Sequence, residues 1–190
     1  FFSKWFISLF TNDKEIIKLD DYRKRYALYR SDADLQAAHQ RYPFIVIGDD
    51  HELSHDTWEA DADNHQEGEG SFIERKIAAL QAYFEWMPIR PVAENDHLNI
   101  YRQFDFGGLV NLIMLDTRIL ARHKQLNYND YMTATGIDAV KFQADLFSPQ
   151  RTLMGVVQRE WLQKQLGQSQ ATWNVLGQQV LMAKMLIPQE

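Results

Sequence analysis

Near the start of the chain, apolar positions fall at helical spacing. Leu19, Tyr22, Tyr26, Tyr29 and Ala33 recur at intervals of three and four, which predicts an amphipathic helix. Ser31 and Asp34 have the spacing of a capping box that would restart the helix and carry it towards His39. Arg41-Tyr42-Pro43 ends it, because proline disfavours helical geometry in the residue before it. Phe44-Ile45-Val46-Ile47 is an apolar run without alternation, the pattern of a strand buried on both faces. Gly48 breaks the run and a polar cluster begins at once. In open α/β sheets ligands bind just beyond the carboxyl ends of strands, so Asp49 to His55 stand where chemistry is expected.

A polar loop is predicted from about Glu59 to Gly70. Ser71 and Glu74 form a second capping-box pattern, opening a helix with Ile73, Ile77, Leu80, Phe84 and Met87 on one face, which Pro88 closes. Leu98, Ile100, Phe104 and Phe106 alternate, with Arg102 as the exception, and Gly107-Gly108 marks a hairpin turn into a strand from Leu109 to Leu115. That strand ends in Asp116-Thr117-Arg118. From Ala121 to Gln150 the pattern reads as loop with short helices. Leu153, Val157 and Trp161 resume a helical stripe with Gly167 as its stop, and Trp173 to Leu176 with Val180 to Met182 predict a last strand broken around Gly177. No repeat and no composition shift divides the chain. The order helix, strand, helix, hairpin, helix, strand points to a layered α/β protein of one domain.

Composition narrows this picture in three ways. A chain of 190 residues with 45% hydrophobic and 13% aromatic content can bury a sizeable core. The absence of cysteine excludes disulfides, thiolate metal sites and a cysteine nucleophile. The opening FFSKWFISLF is apolar but interrupted by Lys4, too short to span a bilayer and without a signal-cleavage pattern; it reads as a core segment exposed by a fragment boundary.

Charge is the most informative quantity. Between Tyr42 and Glu74 there is no Lys or Arg, yet there are ten acids: Asp49, Asp50, Glu52, Asp56, Glu59, Asp61, Asp63, Glu67, Glu69 and Glu74. Removing those ten acids from the net charge of −6 leaves the rest of the chain at +4. His51, His55 and His65 fall in the same interval. A solvated acidic loop is the ordinary meaning of such a run, but carboxylates crowded beside imidazoles repel one another, and a bound cation relieves that repulsion. Nucleic-acid binding through this face is disfavoured, since phosphates would meet like charge.

Two kinds of chemistry fit the stretch GDDHELSHDTW, Gly48 to Trp58. His51-Glu52-Leu53-Ser54-His55 matches the H-E-x-x-H of zinc proteases, which requires both histidines one turn apart on a helix and the glutamate as base. No apolar helical stripe surrounds these residues, so the motif lacks its context. An EF-hand fares worse, with Gln66 where Gly is needed and Phe72 where Glu is needed. A two-metal phosphoesterase suits the context better. It needs phosphate oxygens neutralised, a water activated and a group to protonate the leaving oxygen, and carboxylates with imidazoles at a strand end supply these.

The segment LDDYRKRYALYRSDADLQAAHQRYPFIVIGDDHE resembles the region around the DDHE motif of the PhoD-like alkaline phosphatases and phosphodiesterases. ALQAYFEWMPIRP, LIMLDTR and WNVLGQQVLM resemble later segments of that family in the same order, so the likeness runs from about Lys18 to Pro188. It implies a metallophosphoesterase-like fold, a β-sandwich of two central sheets flanked by helices, of which residues 1–190 would be a single incomplete domain. It also implies a phosphate monoester or diester as small-molecule substrate, two metal ions (calcium and iron in the best-understood members), and export to the periplasm or exterior. Carried over, Asp50 is a metal ligand, His51 a catalytic acid or phosphate contact, and Asp49 the first acid of the motif and a further metal ligand. Arg75 and Arg118 are candidate phosphate clamps, since a guanidinium matches phosphate oxygens in a bidentate way; for both the bland alternative is a structural ion pair.

This chain departs from the family pattern with Gly48 where Trp is usual and His55 where Asn is usual. His55 can still bind a metal, but imidazole is a softer ligand than an amide oxygen. His65 reads as a solvated loop residue. The family's upstream Gly-Asp motif is not found before Leu19, and its downstream Gly-Asp and His would lie beyond Glu190, so the visible ligand set is part of a binuclear site. Two expectations follow from different classes: a metal-dependent phosphatase seen in part, or a non-catalytic truncated homologue that binds a cation weakly. In either case apolar surface near Phe44 to Ile47 would be left uncovered and favour association.

Overall fold

The structure, a computed structural model, describes residues 15–94 and 96–182. The expectation for FFSKWFISLF falls outside them. Helix α1 spans Leu19–Arg30, α2 Ala33–Arg41 and α3 Phe72–Trp86; a hairpin of β1, Arg102–Phe106, and β2, Val110–Met114, follows. A short 3-10 turn at Tyr128–Tyr131, the two-residue strands β3 (Met132–Thr133) and β4 (Gly136–Ile137), and α4, Ala139–Leu146, occupy the region predicted as loop with short helices. Helix α5, Gly155–Gln168, leads into β5, Trp173–Gly177.

The break between α1 and α2 lies where predicted, but the cap is one residue later. Asp32, not Ser31, accepts the Leu35 N–H at 2.7 Å, while the Ser31 hydroxyl donates back to Leu28 O at 2.6 Å. Ser71 does stand at the start of α3, although its side chain makes no capping bond.

β2 is the centre of a three-stranded mixed sheet in the order β1-β2-β5. Its antiparallel pairing with β1 sets Arg102 opposite Met114 and Phe106 opposite Val110, with the turn passing through Gly107 at φ +63. Its parallel pairing with β5 sets Val110 opposite Trp173 and Met114 opposite Gly177. The last strand thus stops at Gly177, and Val180 to Met182 do not extend it. Buried on both faces, Ile113, Met114 and Leu115 give the end of β2 its apolar run. Helices and a mixed sheet in one chain confirm the α/β class.

Phe44 to Ile47 form no regular element and pair with no strand among the described residues. Their backbone is met by side chains instead: the Arg102 guanidinium donates to Val46 O, and Gln179 Nε2 donates to Gly48 O at 2.8 Å. A central strand needs two neighbours, and without them Phe44 is 40% and Ile45 36% exposed.

Two small cores flank this segment. One joins Tyr22, Leu53, Ala79 and Ala82, packed under Ile16, Leu19 and Tyr26. The other joins Leu80, Ile100 and Ile119 with Ile47 and Phe84. The Tyr22 hydroxyl donates to Leu53 O at 2.8 Å, which ties α1 to the polar stretch after Gly48. A bidentate Arg23–Glu85 pair, 2.7 and 2.6 Å, joins α1 to α3 at the surface.

The helical faces differ from those predicted. In α3 the buried residues are Arg75, Lys76, Ala79, Leu80, Ala82 and Tyr83, whereas Ile73 and Ile77 are about half exposed at 50% and 52%. In α5 the buried residue is Gln158, and Val157 is exposed. Small alanines let α3 approach α1, and polar side chains with fixed partners lie where apolar ones were expected. Gln158 accepts from Asp116 N at 2.8 Å and donates to Asp116 O at 2.7 Å, closing both backbone bonds of the residue that ends the β2 run. Gly155 starts α5 at φ +75 and faces Ala121, whose Cβ lies 2.8 Å from where a Cβ of residue 155 would be; only glycine allows that approach.

Replacing Gln158 by Ala leaves a cavity and two buried backbone groups without partners. The expected loss is roughly 2–4 kcal/mol in urea unfolding. A loss below about 0.5 kcal/mol, the ordinary range for surface positions, would mean that α5 is not pinned through this amide.

Candidate metal and phosphate site

The site grows from one turn. Asp50 O accepts from Leu53 N at 2.9 Å and from Ser54 N at 2.7 Å, so the chain coils once directly after Gly48. The Asp50 carboxylate, itself buried, folds under that turn, and its Oδ2 accepts the Asp56 N–H at 2.7 Å. Asp56 adopts φ +51, the left-handed conformation that aspartate tolerates better than most residues. Residues separated by four positions meet on one side of such a turn. His51 Nε2 and His55 Nδ1 are accordingly 3.4 Å apart, and each is 3.8 Å from Asp50 Oδ2. Asp50, His51 and His55 form a three-donor group whose atoms all lie within 4.8 Å of one another. One buried carboxylate facing two exposed imidazoles suits a metal ion: the carboxylate supplies charge, and both rings are open to solvent.

Arg118 governs the carboxylates on the other side. Its Nε donates to Asp49 Oδ1 at 2.7 Å and its Nη1 to Asp56 Oδ1 at 2.7 Å, while Nη2 lies 3.9 Å from Asp50 Oδ1. Burial works against the guanidinium charge, but Asp56, Asp50 and Asp49 outweigh it and hold its pKa above the usual arginine value. Asp49 therefore lies outside the three-donor group, paired with Arg118. Arg118 and the two histidines are brought together around Asp50.

Arg75 is placed differently. It is 2% exposed and every nitrogen is engaged: Nε with the Tyr22 hydroxyl at 3.2 Å, Nη1 with Asn64 O at 3.1 Å, and Nη2 with Glu15 at 2.7 Å. Glu69 is a further partner at 3.4 Å. This guanidinium clamps the acidic loop to α1 and α3. His65 is not solvated either; its ring packs edge-on to Phe72, and its nitrogens lie within 3.5 Å of Glu69, Arg75 and Gly70 O.

The zinc-protease motif can be judged from side-chain direction. No continuous α-helix runs through His51 and His55; the residues form a turn. The two rings do meet, but Glu52 points away, with its Oε2 accepting the Asp49 N–H at 2.6 Å. A carboxylate committed to capping that backbone cannot serve as the general base of the H-E-x-x-H mechanism.

Several residues not nominated as ligands or phosphate contacts hold the site in place. Asp56 and Glu52 act through the turn, and the spacing of Asp56 six residues after Asp50 carries no familiar motif. Gln179 joins the two segment ends, donating to Gly48 O at 2.8 Å and Leu115 O at 3.0 Å while accepting from the Thr117 hydroxyl at 2.6 Å. Asp116 is fully buried. Its Oδ1 accepts from Arg118 N and Ile119 N at 2.9 and 2.8 Å, orienting Arg118, while its Oδ2 has no hydrogen-bond partner among the described residues. Burial raises its pKa despite those bonds, and burial likewise lowers that of Lys76, which donates to Glu59 O and Ile119 O.

Comparison with known proteins adds three findings. A family model described as PhoD-like phosphatase matches residues 4–190. Alkaline phosphatase D of Bacillus subtilis (strain 168) is 41% identical over 176 residues, which is 91% of this chain but 28% of that protein. A solved structure titled "Structure of PhoD" superposes with a TM-score of 0.76 at 40% identity, covering 91% of this chain and 32% of that one. This chain thus spans less than a third of the length of the relatives it matches. Among its described residues no helix is long and apolar enough to cross a membrane.

The raised pKa of Asp116 has a testable sign. With the folded value above the unfolded one near 3.8, the folded state keeps the proton longer. That contribution is fully present below about pH 4 and is lost as pH rises through the folded value. Asp116→Asn can keep both backbone bonds without the charge. Unfolding of the two proteins between about pH 4 and pH 8 should show the wild type losing stability relative to the variant with rising pH. A difference that stays flat would mean that Asp116 titrates as an ordinary carboxylate.

Proposed function

Because this chain belongs to the PhoD-like phosphatase family, we propose that it is the portion of a metal-dependent phosphatase and phosphodiesterase that carries one carboxylate–imidazole corner of the active site. The carrying observation is the buried Asp50 carboxylate with His51 and His55 converging on it. The sheet β1-β2-β5 is then part of one of the two sheets of a metallophosphoesterase-like sandwich. The parent's substrate is a small phosphate mono- or diester, and its place is outside the cytoplasm, on the family resemblance alone.

Asp50 and His55 are the residues that would hold metal, while Asp49, expected as a further ligand, is paired with Arg118. Metal ions bound there would neutralise phosphate oxygens and lower the pKa of water. His51, the more exposed imidazole, contacts the phosphate or protonates the leaving oxygen. Arg118 is the guanidinium placed to share its donors between Asp49, Asp56 and a phosphate oxygen. For Arg75 the saturated hydrogen bonding supports a structural role, so the phosphate contact expected of it falls to Arg118.

A second reading is favoured by one specific observation. The described residues hold a single three-donor group, and the chain spans 28% of its curated relative. Two-metal hydrolysis needs two ions fixed roughly 3.5–4 Å apart, each with several protein ligands. The 190-residue chain by itself is then a folded, weakly cation-binding but non-catalytic piece, with the uncovered Phe44 and Ile45 promoting association.

Assays on the full-length parent and on this chain separate the readings. The parent should hydrolyse an aryl phosphate ester and lose activity with a chelator. Asp50→Asn in the parent should cost about a hundredfold or more, because it removes a charge that would ligate the metal; near wild-type turnover would remove Asp50 from the site. This chain alone should hydrolyse the ester at background rate, and turnover matching the parent's would overturn the non-catalytic reading. Peptide hydrolysis is expected from neither, and zinc-dependent cleavage abolished by Glu52→Gln would contradict the direction of that side chain.

A further inference from the structure

The donor set at Asp50 carries a statement about which ions can occupy it. We propose that His51, besides its part in phosphate chemistry, is a metal ligand whenever no phosphate is present. Asp50, His51 and His55 together then select a nitrogen-preferring divalent ion of the zinc or cobalt type over calcium. This rests on the reading of the cluster as a metal site.

Three observations carry it. The donor atoms form a triangle with sides of 3.4, 3.8 and 3.8 Å. Ligands placed tetrahedrally about 2.0–2.1 Å from one ion are separated by roughly 3.4 Å. One ion would therefore draw the donors together by only a few tenths of an ångström, and the exposed histidine rings are free to turn that far. The chemistry of the donors points the same way: two of the three are imidazole nitrogens, which suit zinc, cobalt and nickel, whereas calcium takes six to eight oxygens. Finally, the neighbouring oxygens that calcium would need are committed elsewhere. Asp49 and Asp56 are held by Arg118 at 2.7 Å each, and Glu52 caps the Asp49 backbone. Asp50 Oδ2 is fixed in turn by the Asp56 N–H, which orients the carboxylate as the partners of metal ligands commonly do.

Such a site does not make the chain a protease, because Glu52 faces away from the ion position. It makes His51 a ligand that a phosphate oxygen can displace, leaving the ring beside the phosphate it is proposed to contact.

The test is a binding measurement on the 190-residue chain, with zinc, cobalt and calcium titrated separately by calorimetry. Ring 15N signals of the histidines are followed by NMR. Zinc and cobalt should bind at one equivalent and roughly a hundredfold more tightly than calcium, as the preference of imidazole donors dictates, and the His51 and His55 rings should shift together. His55→Asn and His51→Gln should each lower zinc affinity tenfold or more while leaving calcium affinity within about threefold, since only the nitrogen donors are removed. The ring shifts need no substitution, so a variant that fails to fold does not remove the test. Calcium binding as tight as zinc would overturn the selectivity while leaving a metal site. Binding of no ion would overturn the metal role as well, whatever the parent does with phosphate esters. Zinc binding that spares His51 and His55 would place the ion elsewhere and end the proposal.

Discussion

An acidic segment without a base of its own has to be neutralised from outside. From Tyr42 to Glu74 the chain carries ten acids and no Lys or Arg. The cations that hold it come from α3 and from the residues after β2. Arg75 gathers Glu15, Glu69 and Asn64 O, and Lys76 reaches Glu59 O. Arg118 spans Asp49 and Asp56, and the charges of Asp56, Asp49 and Asp50 favour the charged form of nearby Arg122 against its burial. The cations are buried or nearly so, whereas Glu15 and Asp49 are more than a third exposed, so those pairs combine a desolvated guanidinium with a solvent-facing carboxylate. The fold around the site is therefore held by charge pairing across distant parts of the chain as much as by its small apolar clusters.

That constraint explains why the helices lie differently from their hydrophobic pattern. Periodicity reading assumes that the apolar stripe faces inward. In α3 the inward face has to deliver Arg75 and Lys76 to the acidic loop, and Ile73 and Ile77 turn outward as a consequence. In α5 the inward position belongs to Gln158, which closes the backbone of Asp116. The existence of these helices, their approximate ends, the hairpin at Gly107-Gly108 and the strand at Trp173 were all legible. Their rotation was not, because it depends on tertiary partners, some of them more than forty residues away.

The site was legible in a similarly uneven way. Asp49, Asp50, His51 and His55 follow an apolar run that ends at a glycine, and local pattern alone places them together. The strand assigned to that run fails for a long-range reason: a buried strand is defined by its neighbours, and Phe44 to Ile47 find none among the described residues. Arg118 could be nominated from its place after β2, but whether it or Arg75 faces the aspartates is decided by tertiary contacts. Gln179 and Asp56 left no signal, since one acts through two carbonyls on separate segments and the other through a left-handed turn.

The turn after Gly48 also separates two chemistries that share a sequence. One coil from Asp50 to Ser54 sets His51 over His55, as a helix would, so the spacing of the H-E-x-x-H pattern is met in part. The same coil swings Glu52 back to the Asp49 amide and brings the Asp50 carboxylate under the rings. The turn thereby presents an aspartate carboxylate to the imidazoles and turns the glutamate away from them. Arg118 completes the change by occupying Asp49 and Asp56, which leaves Asp50 as the carboxylate facing the imidazoles. A cation arriving there meets one negative charge and two nitrogens, beside a guanidinium able to take a phosphate oxygen. On the proposed reading each element would suit phosphate-ester chemistry, and none places a base against a peptide carbonyl.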